Sequence, residues 1–248
     1  VKRKFEQAGA IVDSFVFRNL TPREIEESIS KMKDYIDECN IIMLPGGMSV
    51  GSEPDGSAKF IANVFRTPSL TEAVMNLVST RDGLMLGIGD GFQALVRLGL
   101  LPYGEIRPVN ADSPALTFNT IGRHASSMVR TKVTSNLSPW LSKVQVGDVF
   151  TLAFSNGEGR FVASPELLAE LEAAGQIATQ YVDLDGNPTM DIRYNPAGSV
   201  MAIESISSPE GRIFGKMAHD ERYTANTLTN IPGKKDQKIF EAGVEYFL

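Results

Sequence analysis

Thr21-Pro22-Arg23-Glu24 opens the clearest periodic stretch of the chain, and Ile25, Ile29, Met32 and Ile36 follow at helical spacing. Threonine at the N-cap, proline at the first helical position and a glutamate three residues on predict an amphipathic helix. Ahead of it, Phe5 to Gly9 reads as helical and Ala10 to Val16 as a strand. Two continuous apolar runs, Asn40 to Leu44 and Gly83 to Ile88, end in Pro45-Gly46-Gly47 and Gly89-Asp90-Gly91. Runs of that kind suit parallel strands buried on both faces. Between them Ile61, Val64 and Phe65 mark a helix, Pro68 interrupts it, and Ser69 with Glu72 caps a continuation carrying Val74, Leu77 and Val78. Ala94, Leu95 and Leu98 mark the helix after the second glycine turn. Strand alternating with helix predicts a parallel sheet covered on both sides.

From about Ser113 the texture changes. Ala115 to Thr120, Met128 to Val133 and Val149 to Phe154 read as alternating strands, a helix is capped at Ser164-Pro165, and Gln176 to Val182 is a further strand. Val200 to Phe214 reads as a hairpin broken at Ser208-Pro209-Glu210-Gly211, and Ile239 to Leu248 as a terminal helix. The expected class is α/β: a flavodoxin-like parallel sheet flanked by helices, with an antiparallel extension over residues 113–215.

With 248 residues, 42% of them hydrophobic, the chain suits a single domain. Its net charge of −6 is spread throughout, which argues against nucleic acid as a partner. No run of eighteen apolar residues and no signal-peptide order occur, so no membrane partner and a cytoplasmic location are expected. One cysteine and two histidines exclude an internal disulfide and an ordinary tetrahedral zinc site. The start at Val1, without methionine, suggests a piece of something longer.

Glycine turns after buried strands are where open α/β sheets bind ligands, because backbone amides can point at them. Pro45-Gly46-Gly47-Met48-Ser49 is one such turn. Gly87-Ile88-Gly89-Asp90-Gly91-Phe92-Gln93 is the other, and it has the outline of a nucleophile elbow. Taken alone, either turn is ordinary strand-to-helix punctuation.

Together with Ser-x-Gly-Glu-Gly-Arg-Phe at 155–161, Asn-Pro-x-Gly-Ser at 195–199 and Met-x-His-x-Glu-Arg at 217–222, the turns form an ordered series. From about Phe5 to Phe247 the chain resembles the class I glutamine amidotransferases, and within them the glutaminase domain of phosphoribosylformylglycinamidine synthase. The resemblance implies a single domain over 1–248, forming the C-terminal part of a longer synthase and lacking its first strand. It implies glutamine as ligand and a synthetase domain as partner. No cofactor belongs to this domain; ATP and Mg belong to the synthetase part. Gly46, Gly47 and Met48 would supply oxyanion-stabilising backbone, and Gln93, Ser155, Gly157 and Glu158 would line the glutamine pocket. His219 would be the base and Glu221 its orienting partner.

The chain departs from the pattern at its centre. Gly89 stands where the family carries its cysteine, Asp90 where asparagine usually follows, and Asn156 where histidine would stand. Glycine offers no nucleophile, and Cys39 precedes the strand that ends at Pro45, which puts it at the wrong end of the sheet. Three readings stay open: a lapsed glutaminase still docked on its synthetase, a hydrolase using Asp90, or a module that binds glutamine without cutting it. His124 is expected at the surface in a structural role, and Arg130, Arg160 and Arg222 in structural ion pairs or as anion binders.

Overall fold

The structure is a computed structural model, and it describes residues 1–47 and 58–248. The first half contains α1 (Lys2–Gln7), α2 (Pro22–Glu38), β1 (Ile41–Leu44), α3 (Lys59–Phe65), α4 (Pro68–Ser79), β2 (Leu84–Ile88), α5 (Asp90–Leu98) and α6 (Leu100–Tyr103). The second contains β3 (Ala115–Thr117), β4 (Ala125–Val133), β5 (Val149–Asn156), β6 (Arg160–Val162) and α7 (Pro165–Ala173). It ends with β7 (Ile177–Tyr181), β8 (Ile203–Ser207), β9 (Ile213–Lys216) and α8 (Ile239–Glu245).

Two of the expected caps form. Thr21 Oγ1 accepts the Glu24 N–H at 3.2 Å, and Ser164 Oγ accepts the Leu167 N–H at 3.2 Å, each satisfying a first-turn donor. At α4 the boundary differs: Thr67 is the N-cap and Pro68 the first helical residue, so the proline starts the helix where interruption was expected. The run from Ala10 to Val16 is not a strand; Ile11 is fully exposed, and no strand among the described residues pairs with it. Its aromatic neighbours pack on helices instead, Phe15 against Tyr35 with ring centroids 5.8 Å apart and Phe17 against Phe60 at 5.4 Å.

A seven-stranded mixed sheet, in the order β1-β2-β9-β8-β7-β4-β5, forms the centre. Parallel pairing is confined to β1, β2 and β9; β8, β7, β4 and β5 continue antiparallel, and β3 and β6 form a separate two-stranded sheet. The expected hairpin therefore plays two parts. Its second strand, β9, runs antiparallel to β8 and parallel to β2, joining the extension to the parallel half. Every residue of β2 is buried, as a strand covered on both faces requires.

Register sets the level at which these strands stop. Leu44 lies opposite Gly87 and Ile88 opposite Lys216, so β1, β2 and β9 deliver the following residues to one edge of the sheet. There α5 presses on the strands. A Cβ on Gly91 would lie 1.9 Å from the Leu44 carbonyl oxygen, and one on Gly87 would lie 2.6 Å from the Gly91 carbonyl oxygen. Gly91→Ala is therefore expected to lower stability by at least about 3 kcal/mol, the upper end of ordinary overpacking costs, read from the urea midpoint at unchanged m-value.

Candidate functional site

The turn after β2 is pinned on both sides. The Gly89 N–H donates to the Lys216 carbonyl at 2.9 Å, and the Gly89 carbonyl accepts the first α5 hydrogen bond, from the Gln93 N–H, at 3.0 Å. Gly89 takes φ 56° and ψ −114°, a conformation that glycine adopts without penalty. The chain beyond β9 continues for Met217 and Ala218, and His219 is then fixed by donating its backbone N–H to the Ala153 carbonyl of β5 at 2.8 Å. His219 thereby comes to rest over Gly89. A Cβ built at position 89 would stand 3.4 Å from Gly46 Cα, 3.5 Å from His219 Cε1 and 4.0 Å from His219 Nε2.

Glu221 completes the arrangement from the short turn Asp220–Arg222, with its Oε1 2.6 Å from His219 Nδ1. Burial opposes the charge of this carboxylate, but the hydrogen bond and attraction from His219 outweigh it and bring its pKa below the usual glutamate value. An ionised Glu221 accepts only, so Nδ1 carries the proton, and Nε2 stands 4.0 Å from a Cβ at position 89. His219 is 4% exposed, which shields the pair from solvent.

A second group forms around the turn between β5 and β6. Gln93, buried on α5, donates from Nε2 to the Glu158 carbonyl at 2.8 Å, which ties the helix carrying Gly89's neighbours to the turn carrying Gly157 and Glu158. Ser155 Oγ lies 3.0 Å from Nε2 of His124, so this exposed histidine sits on a residue expected to line the pocket. Asn156 is buried, and neither polar atom of its amide finds a partner among the described residues; the same holds for Glu221 Oε2. Among the described residues nothing beyond its chain neighbours lies within 4 Å of a Cβ built at Gly47, and Met48 lies outside the described residues.

Other candidates fall elsewhere. Cys39 caps the C-terminal end of α2 ahead of β1, its thiol donates to the Ile36 carbonyl at 3.6 Å, and burial pushes its pKa up. Asp90 is the first residue of α5, one position beyond the apex of the turn. Arg130 donates to the Asp183 carbonyl at 2.8 Å, a structural contact.

Sequence reasoning missed a buried charged cluster behind the histidine. Lys216, Asp220, Glu204 and Gln237 are at most 1% exposed. The Lys216 ammonium bonds the Asp220 carboxylate and the Gln237 side-chain oxygen, and Asp220 Oδ1 accepts the Gln237 backbone N–H at 3.2 Å. Glu204 Oε1 accepts the Ala218 N–H at 2.7 Å. Burial alone would lower the pKa of Lys216, but Asp220 and Glu204 more than offset it and hold the ammonium charged. Burial pushes the Asp220 carboxyl up against the pull of that ammonium. Lysine in an otherwise apolar strand, with aspartate four residues on, was the available signal.

The lysine and aspartate straddle His219 in sequence, so their pairing fixes the bend that carries the His219–Glu221 contact. Lys216→Met is expected to cost about 3–5 kcal/mol by leaving Asp220 buried and unpaired, and adding Asp220→Asn should recover most of that loss. Chemical denaturation of the three proteins at neutral pH reads both effects.

Residues 1–247 match the CobB/CobQ-like glutamine amidotransferase domain family. Among similar proteins, phosphoribosylformylglycinamidine synthase subunit PurQ of Gloeobacter violaceus is 33% identical over 210 residues, covering 85% of this chain and 81% of the relative. Its counterpart in Aquifex aeolicus is 30% identical over 221 residues, 88% of each chain. Among solved structures, PurLQS from Thermotoga maritima aligns with TM-score 0.62 at 24% identity, covering 86% of this chain and 82% of that one. The glutaminase domain of Trypanosoma brucei CTPS, solved with bound acivicin, aligns with TM-score 0.53 at 13% identity over 98% and 86%. Both likenesses are likenesses of fold.

Proposed function

The chain belongs to the CobB/CobQ-like glutamine amidotransferase domain family, and we propose that it is the glutaminase unit of a phosphoribosylformylglycinamidine synthase in which glycine occupies the nucleophile position. In an intact unit a cysteine would take the γ-carbonyl of glutamine as a thioester and release ammonia to an ATP-dependent synthetase. The observation behind this reading is the 3.5 Å between His219 Cε1 and a Cβ at position 89, with Glu221 on the far nitrogen of the ring. That is the relation of base and orienting acid to a nucleophile.

With Gly89 the thioester has no sulfur to form on, so the unit is inactive as a glutaminase and docks on its synthetase partner without feeding it. His219 and Glu221 remain as base and orienter, and Gly46, Gly47 and Met48 as the oxyanion-stabilising backbone. ATP and Mg belong to the synthetase. Among the described residues no helix is long and apolar enough to cross a membrane.

A second reading, that the domain binds glutamine without cutting it, is favoured by the Asn156 amide and Glu221 Oε2, buried polar atoms that a bound ligand would satisfy. Gln93, Ser155, Gly157 and Glu158 then form the glutamine pocket.

The unaltered chain is expected to release no glutamate from glutamine above the uncatalysed rate. Gly89→Cys should restore release by at least about 10³-fold, since loss of a covalent nucleophile costs on the order of 10⁶ in kcat. Asp90→Asn and Asn156→His should raise it further. Glutamate release by the unaltered chain that Asp90→Asn abolishes would overturn the proposal in favour of a carboxylate nucleophile. So would a folded Gly89→Cys protein whose thiol resists a glutamine-analogue alkylator.

A further inference from the structure

Asn119 lies just beyond β3, is 2% exposed, and belongs to none of the motifs that identify the family. Its side chain ties two loops together. Oδ1 accepts the Gly159 N–H at 3.0 Å; Nδ2 donates to the Asn156 carbonyl at 2.9 Å and to the Arg123 carbonyl at 3.3 Å. Its backbone N–H donates to the Gly157 carbonyl at 3.0 Å, and its carbonyl accepts the Gly122 N–H at 2.9 Å. Three of these bonds end on the turn 156–159, and two on the loop that brings His124 to Ser155.

The turn lies between β5 and β6. It follows a strand and carries two glycines, each of which leaves the backbone freer than any other residue would. Chain and side chain also pack closely at Gly159, where a Cβ would lie 2.4 Å from Asn156 Oδ1. On the opposite side Ser199 Oγ donates to the Gly159 carbonyl at 3.2 Å. Gly159 is thus held through its N–H by Asn119 and through its carbonyl by Ser199.

We propose that Asn119 is a positioning residue for ligand binding: it holds the 156–159 turn, with Gly157 and Glu158, in the geometry that receives glutamine. This rests on the glutamine-pocket reading above. The residues at the reacting centre, Gly89, His219 and Glu221, belong to β2–α5 and to the chain after β9, and Asn119 bonds none of them. Its loss should therefore weaken binding and leave the chemistry alone.

The test compares Asn119→Ala with Asn119 intact, in the unaltered chain for L-glutamine affinity by calorimetry and in Gly89→Cys for inactivation by a chloroketone analogue of glutamine. The expected result is a dissociation constant and a half-saturating analogue concentration each raised about tenfold, the effect of losing buried hydrogen bonds worth roughly 1–3 kcal/mol. The inactivation rate at saturation should stay within about threefold. His219→Ala should show the opposite split. Hydrogen exchange should lose protection at Gly122 and Gly159, with the His219 amide unaffected. Should Asn119→Ala fail to fold, Asn119→Ser, whose short hydroxyl adds no buried charge, gives the same split. Unchanged affinity, or affinity and rate falling together with global loss of protection, overturns the proposal. If chains with Asn119 intact bind neither glutamine nor the analogue, the functional reading fails first, and the proposal falls with it.

Discussion

A side chain at position 46 would stand 3.0 Å from both His219 Cε1 and the Ile88 carbonyl oxygen. That close approach is the constraint from which the rest of the site follows. It needs β1 and β2 to end at the same level, which the register of Leu44 with Gly87 provides, and it needs β9 to run parallel beside β2 so that the chain after Lys216 passes over the turn. Glycine at 46, 87 and 91 lets backbone pack on backbone where any Cβ would intrude. The imidazole then lies against the glycine turn, with Cε1 3.5 Å and Nε2 4.0 Å from a Cβ at position 89.

What surrounds this contact is more polar than a sheet edge usually is. On one side of His219 the Lys216–Asp220 pair, with Gln237 and Glu204, fastens the chain on which the ring and its carboxylate partner sit. A buried pair of this kind is a poor source of net stability and a strong source of fixed geometry, because every alternative leaves a charge unpaired. On the other side Gln93 and Asn119 tie α5 and the β3–β4 loop to the turn between β5 and β6. The glycine turn under His219 and the 156–159 turn are thus braced by separate residues.

The helices from Thr21 and Ser164 were legible because their caps and apolar spacing are local, and β1 and β2 because their apolar runs end in glycine turns. The parallel role of β9 was not, since nothing in Ile213 to Lys216 says which neighbour the strand joins on its second side. Ala10 to Val16 reads as a strand from its apolar residues, yet Phe15 docks on α2 and the neighbouring Phe17 on α3. In the site, His219 and Glu221 were found by motif, whereas Asn119, Lys216 and Gln237 were not. Their significance lies in partners between 4 and 40 residues away in sequence, brought together only by folding.

The central proposal is that His219 and Glu221 would serve as base and orienting acid to a nucleophile at position 89, where none stands. The most direct measurement is the pH titration of thiolate absorbance in Gly89→Cys with Cys39→Ala, compared with the same protein carrying His219→Ala. A free cysteine ionises near about 8.5, and a partner imidazole brings it to about 7.5 or lower. The expected midpoint lies in that lower range and returns to the free value without His219. A midpoint at or above the free value in both proteins would contradict it.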